Sequence, residues 1–342
     1  MAGQMIVSGF RGDTAAKTAT LAKMIGQGRL GGVMYLKTNV RSLDDVAAMN
    51  AQFRAAGAPL APLIALDQEG GQIERLTHEV GFPEVPSAAT LGQAGDVRRA
   101  EALYSEMARG LAELGFNVNF GPVVDINVNP DNPVIARYGR AYGNAVETVD
   151  RFGAAFVEAH RAAHVLTVLK HFPGHGSSSG DSHKGFVDIS KTWQTRELDP
   201  FRDLIADGLA DMIMVGHLYH FGYGSDGKVP ASLSPEWIDN VLRKQLRFEG
   251  VVITDDLEMG AIRQNFDRRD AVLRAVRAGV DLLLFSNTAD YREGLADEIR
   301  GMLVDEARRD PAFAARLKES YLRIVALKSH LRRLAATTSP VY

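Results

Sequence analysis

Eight short apolar runs recur along the chain, each too short for a helix. They are "MIVSG" (5–9), "GVMYL" (32–36), "LIALD" (63–67), "NVNFGP" (117–122), "LTVLKH" (166–171), "MIMVGH" (212–217), "VVITDD" (251–256) and "LLLFS" (282–286). Runs this rich in Val, Ile, Leu, Met and Phe read as strands buried on both faces, the pattern of a parallel sheet. The segments between them are amphipathic and predict helices over 13–28, 42–56, 96–114, 146–163, 195–208, 235–246, 267–278 and 291–307. Ser42 is placed to cap the second, with Asp45 at the capping-box position as a shorter stand-in for Glu. Eight strand–helix units make an α/β fold, and specifically a (β/α)8 TIM-type barrel. An open doubly wound sheet is the alternative; eight repeats and a length of 342 residues favour closure. With no linker or break in composition, the expectation is one catalytic domain over 1–342.

Composition narrows the function. The formal net charge is −3, and no basic stripe carries interleaved aromatics, so neither nucleic acid nor a membrane surface is an expected partner. The absence of cysteine excludes disulfides, zinc–thiolate sites and thiol nucleophiles together. No run approaches the roughly 18 apolar residues of a membrane span. The opening "MAGQMIVSGFRGDTAA" has no basic stretch followed by a long apolar one, so no signal peptide is read and a cytoplasmic location is expected. A small-molecule substrate and a monomer complete these expectations.

Titratable residues gather where predicted strands end. Asp67 closes "LIALD", Lys170 and His171 close "LTVLKH", His217 closes "MIMVGH", and Asp255 and Asp256 close "VVITDD". Adjacent carboxylates resist burial and repel each other, so a pair at a strand end calls for a use. In a barrel these ends form one face, which predicts a shared site. Two long connections, 122–148 and 172–195, also follow strands and belong to that face.

The second connection opens with "KHFPGHGSSSGDSHKG" (170–185), which holds three of the chain's nine histidines. A metal site would use His171, His175, Asp181 and His183, but Pro173, Gly174 and Gly176 disfavour the helix that an i, i+4 pair needs. A phosphate cradle would use the Gly/Ser run, which lacks the P-loop pattern. An acid/base device fits differently: Asp181, two residues before His183, can turn to hold the imidazole and fix its tautomer. Lys170 and His171 would then grip substrate hydroxyls. His175, inside the turn, reads as a structural tie.

These residues also carry a resemblance. "KHFPGHGSSSGDSH" with "GVVITDDLEM" resembles the family 3 glycoside hydrolases, and within them the β-N-acetylglucosaminidases of bacterial cell-wall recycling. It extends through "LIALDQEGGQIERL", "NFGPVVDI", "GRAYG" and "PASLSPEWIDNVLRKQLRFEGVVITDDLEMGAI". The resemblance implies a retaining exo-β-N-acetylglucosaminidase with no metal and no cofactor. It removes GlcNAc from GlcNAc-1,6-anhydroMurNAc peptides. Asp255 becomes the nucleophile and His183, paired with Asp181, the acid/base; Asp67, Arg75, Arg140, Lys170 and His171 contact the sugar, and His217 walls the site. Choosing Asp255 over Asp256 rests on the resemblance; by the residues alone Asp256 is equally a helix cap. The alternatives are a family 3 β-glucosidase, a glycoside phosphorylase using phosphate as acceptor, and a sugar-binding barrel without turnover. Glu258 departs from the family, which usually has a small residue after "DDL". It reads either as an acid suited to a helix start or as extra charge near the site.

Overall fold

In a computed structural model, which describes residues 1–223, 229–288 and 290–336, all eight apolar runs form strands. Numbered in chain order with two further strands, they are β1 (Ile6–Gly9), β2 (Gly32–Tyr35), β3 (Leu63–Leu66), β4 (Val118–Asn119), β5 (Leu166–Phe172), β6 (Val187–Asp188), β7 (Met212–Val215), β8 (Leu218–Tyr219), β9 (Val251–Thr254) and β10 (Leu283–Phe285). Eight run parallel in the order β10-β1-β2-β3-β4-β5-β7-β9. A parallel bridge between Ile253 and Leu282 links the two ends, so the sheet curls into a ring rather than lying open. The two unforeseen strands, β6 and β8, pair with each other outside the ring, in the connections that follow β5 and β7. The barrel strands are buried along their whole length, which is why their sequences run apolar instead of alternating.

The helices are α1 (Ala19–Gly26), α2 (Leu43–Arg54), α3 (Ala88–Ala94), α4 (Val97–Glu113), α5 (Val146–Ala162), α6 (Asp199–Ala206), α7 (Gly260–Arg263), α8 (Arg268–Ala278), α9 (Leu295–Arg309) and α10 (Pro311–Ala336). A π-helical segment, Glu236–Gln245, stands where the helix over 235–246 was expected. Capping follows the sequence: Ser42 Oγ accepts the Asp45 N–H at 3.2 Å. The shorter Asp45 carboxylate takes the Ser42 hydroxyl at 2.6 Å and pairs with Arg41, so the full capping box does not form.

Helix α10 lies outside the eightfold pattern and was not foreseen. Fully buried Asp281, just before β10, explains how it is bound. One carboxylate oxygen takes the Val252 N–H at 3.0 Å and Arg243 Nη2 at 2.7 Å; the other takes Arg316 Nη2 at 2.7 Å and the Ser320 hydroxyl at 2.8 Å. Strand β9, the π-helical segment and α10 thus converge on one anion. No helix among the described residues is long and apolar enough to cross a membrane.

The wall under the site has its own polar support. Asn119 on β4 accepts the Gln68 N–H at 3.0 Å and donates to the Gln68 carbonyl at 2.9 Å and to His160 Nε2 at 3.0 Å. His160 Nδ1 lies 2.8 Å from the Phe156 carbonyl, an acceptor, so the ring is neutral with its proton on Nδ1. A second proton on Nε2 would face the Asn119 amide donor. Burial pushes His160 down to about 4, and burial does the same to His175. The unfolded chain therefore binds these protons first as pH falls, and stability rises with pH between about 4 and 6.5, then levels. Urea unfolding across that window is expected to show the rise, and His160→Gln to flatten part of it. An unchanged slope would assign the acid sensitivity elsewhere.

Candidate active site

A cavity of about 460 Å³ opens at the ends of the barrel strands. Its charged side is built on β3 and β5. Lys170 Nζ, from the buried end of β5, contacts Asp67 Oδ1 at 2.8 Å and Glu69 Oε1 at 2.6 Å. Arg75 Nη2 holds the other Asp67 oxygen at 2.8 Å. Arg140 grips Glu69 through Nε at 2.9 Å and Nη2 at 2.8 Å. Burial pushes the Asp67 carboxyl up, but Lys170 and Arg75 outweigh it and hold the group below the usual range. The same contest holds Glu69 far below it, with Arg140 and then Lys170 overcoming burial. Gln68, fixed by Asn119, accepts the Arg75 and Leu76 N–H groups at 2.9 and 3.1 Å and so sets the turn that brings Arg75 back over Asp67.

His171 is oriented from two sides. Its Nδ1 lies 2.7 Å from Asp125 Oδ2, and its Nε2 lies 3.2 Å from Arg140 Nη2. Arginine only donates, so Nε2 accepts and the proton sits on Nδ1. Fully buried Asp125 also takes the N–H groups of His171 and His175 at 3.2 and 2.8 Å, tying the long loop to the strand end. His175 bonds Ser178 Oγ through Nδ1 at 2.7 Å and Ser182 Oγ through Nε2 at 3.2 Å, closing the turn as expected while also lining the cavity. The His171 and His175 rings stand 5.8 Å apart at 76°, each committed to its own partners. Among the described residues no group of three or more His, Asp or Glu could hold a metal ion. Gly176 is required where it stands, since a Cβ there would fall on the Ile126 carbonyl oxygen.

The two aspartates after β9 differ in what surrounds them. Asp256 Oδ1 accepts the Ser286 N–H at 2.9 Å and the Glu258 N–H at 3.0 Å, and burial raises its pKa. It organises the turn but caps no helix, for α7 begins only at Gly260. Asp255 Oδ1 accepts the Asp256 N–H at 2.8 Å. Burial again pushes its carboxyl up, but His217, His183 and the Asp256 N–H pull it below its ordinary value. An ionised carboxylate on the cavity wall with capacity to spare is suited to attack carbon. His217 does not line the cavity: Nδ1 is 2.7 Å from Ser232 Oγ and Nε2 2.9 Å from the Asp256 carbonyl. It stands behind the turn that carries Asp255.

His183 reaches the cavity from the loop after β5, exposed where the other site histidines are buried. Asp181 Oδ1 takes its Nδ1 at 2.9 Å and its N–H at 3.0 Å, as "DSH" predicts, leaving Nε2 open. Asp181 is pulled below its ordinary value by His183 against the effect of burial. The loop rests on α7 through the Gly260 N–H to the His183 carbonyl and the Ala261 N–H to the Ser182 carbonyl, both 3.1 Å. A Cβ on Gly260 would sit 2.7 Å from that His183 oxygen.

Eight of the nine sequence-derived residues therefore line one cavity: Asp67, Arg75, Arg140, Lys170, His171, Asp181, His183 and Asp255. Two further residues were missed, one on the cavity wall and one buried behind it. Glu69 stands two residues after Asp67 in "DQEGG", and Asp125 in "VVDI" reads as an ordinary buried loop acid until His171 is seen against it.

A family model described as Glycosyl hydrolase family 3 N terminal domain matches residues 2–316. The chain belongs to glycoside hydrolase family 3. It is 31% identical over 375 residues to Beta-hexosaminidase A of Pseudoalteromonas piscicida, covering 98% of this chain and 62% of that protein. To Beta-hexosaminidase LpqI of Mycobacterium tuberculosis it is 36% identical over 295 residues, 84% of this chain and 72% of that one. Among solved structures, a family 3 β-N-acetylglucosaminidase from Paenibacillus sp. str. FPU-7 superposes with TM-score 0.87 at 34% identity, over 100% of this chain and 64% of that chain. A β-N-acetylhexosaminidase from Beutenbergia cavernae gives 0.86 at 30%, over 96% and 97%. The family 3 chain thus spans less than two thirds of the Pseudoalteromonas and Paenibacillus proteins and nearly all of the Beutenbergia one.

Within this family 3 site the buried Lys170 ammonium separates two partly buried carboxylates, so Lys170→Met is expected to cost about 3 kcal/mol. The measurement is the denaturant midpoint at neutral pH. A wild-type midpoint would show that Arg75 and Arg140 suffice.

Proposed function

We propose that this chain is a retaining exo-β-N-acetylhexosaminidase. The observation that carries the reading is one pocket shared by a strand-end carboxylate, Asp255, and a histidine–carboxylate pair, His183–Asp181, beside a charged clamp around Asp67. The relatives and similar structures named above are themselves described as β-hexosaminidases and β-N-acetylglucosaminidases, which supports the same substrate class.

In the first step an Asp255 oxygen attacks the anomeric carbon as the glycosidic oxygen departs with a proton from His183 Nε2. This forms a glycosyl-enzyme ester. In the second, Nε2 takes a proton from water, whose oxygen displaces Asp255 from the same carbon and restores the original configuration. Most glycosidases give the acid/base role to a second carboxylate. Here Asp181 holds Nδ1 and stabilises the protonated ring, so Nε2 is the shuttling atom. Lys170, Arg75, Arg140, His171 and Asp67 hold the sugar's hydroxyls, and Glu69 and Asp125 keep those groups aimed. His217 acts behind Asp255, steadying the turn.

For the natural substrate we infer non-reducing GlcNAc on 1,6-anhydroMurNAc peptides. The setting would be cytoplasmic peptidoglycan recycling by a monomeric enzyme that needs no cofactor. What supports this finer reading is the resemblance of "KHFPGHGSSSGDSH" to the cell-wall recycling branch.

Hydrolysis of an aryl β-N-acetylglucosaminide beside the matching β-glucoside tests the proposal. Wild type is expected to cleave the N-acetyl sugar and Asp255→Ala to be inactive. His183→Ala should lose roughly 10²–10⁴-fold on poor leaving groups and much less on an activated one. Preference for the glucoside would overturn the substrate; failure on both would leave a sugar-binding barrel. Release of GlcNAc from the anhydro-disaccharide tests the natural substrate.

A further inference from the structure

The cavity has a second polar wall that the mechanism does not use. Ser286 follows β10 and Thr288 lies two residues on; both line the cavity on the side of Asp255. Behind them lies Glu258, 7% exposed, just before the Met259 N-cap of α7 rather than inside its first turn. Its Oε2 accepts the Ser286 hydroxyl at 3.2 Å and the Thr288 N–H at 3.2 Å. The Ser286 N–H is held by Asp256 at 2.9 Å, so the segment is fixed by both acids that follow Asp255.

Hydroxyl protons can be counted here. Ser286 Oγ and Thr288 Oγ1 are 3.0 Å apart, a contact that needs one proton. A serine has a single hydroxyl proton. Ser286 gives its own to Glu258, so Thr288 supplies the one between them. Both oxygens are then left with lone pairs only.

We infer that Glu258 is a positioning residue that makes the Ser286–Thr288 wall acceptor-only, and that this wall selects a sugar by a hydroxyl or amide N–H donated to it. The inference rests on the sugar-binding reading of the cavity. A sugar entering in a rotation that turns an acceptor toward this wall leaves lone pairs facing lone pairs, and each unpaired buried group is costly.

Calorimetric binding of N-acetylglucosamine and its monodeoxy analogues is the test, in wild type, Thr288→Val, Glu258→Gln and Glu258→Met. Thr288→Val is expected to weaken the parent sugar roughly five-fold, the worth of one neutral hydrogen bond. One analogue, lacking the donor that the wall reads, should lose nothing further in that variant, a coupling that a double-mutant cycle exposes. Glu258→Gln should bind like wild type, because its amide oxygen can accept from both Ser286 and Thr288. Glu258→Met should behave like Thr288→Val, because the freed Ser286 proton turns outward. Additive losses for every analogue, or equal behaviour of the Gln and Met variants, would overturn the wall while leaving the sugar site standing. Absence of N-acetylglucosamine binding in wild type would overturn both. Thr288→Val keeps the test decisive even if Glu258→Met fails to fold.

Discussion

One buried ammonium holds the site together. Lys170 Nζ sits between Asp67 and Glu69 at hydrogen-bond distance from each. Two carboxylates this close would otherwise drive each other toward protonation. A protonated Asp67 could not accept from two hydroxyls, and a protonated Glu69 would release Arg140. Arg140 in turn donates to His171, whose other nitrogen is held by Asp125. The chain Asp67–Lys170–Glu69–Arg140–His171–Asp125 therefore runs from the cavity wall into the interior with its charges alternating until the neutral imidazole. Such a chain is stiff, because displacing one member exposes the next as an unpaired buried charge.

The barrel was legible because burial on both faces leaves continuous apolar runs, and all eight appear as strands. What the runs could not reveal was anything that depends on a partner far away in sequence. Helix α10 is bound through Asp281, Arg316 and Ser320, none of which stands out in its own neighbourhood. The π-helical hydrogen bonding of Glu236–Gln245 has the same apolar spacing as an ordinary helix and could not be told from one. Strands β6 and β8 are two residues each, too short to carry a pattern.

The site divides along the same line. Asp181 and His183 were readable as a pair because only Ser182 separates them. Strand-end positions exposed Asp67, Lys170, His171 and Asp255 because charge at the end of an apolar run is conspicuous. Asp125 and His171 are joined only by the fold, and Asp125 acquires meaning from that contact alone. His217 was conspicuous for the same reason as the others, yet both its nitrogens are engaged behind Asp255. Nothing local distinguishes Asp255 from Asp256. The difference arises because Ser286, on the neighbouring strand's end, offers its N–H to Asp256.

The contact between the His183 loop and α7 joins two groups that look independent. The chain leaving β9 at Asp255 continues within six residues into Gly260 and Ala261, whose N–H groups hold the carbonyls of His183 and Ser182. The link is made by main chain on both sides, so it constrains position without constraining side-chain identity, except that Gly260 must stay bare. The proposed proton donor, His183, and the proposed nucleophile, Asp255, thus share a single lever arm. A shift of the β9–α7 turn carries both in the same direction, and the gap that a sugar must fill between them is conserved while its walls move.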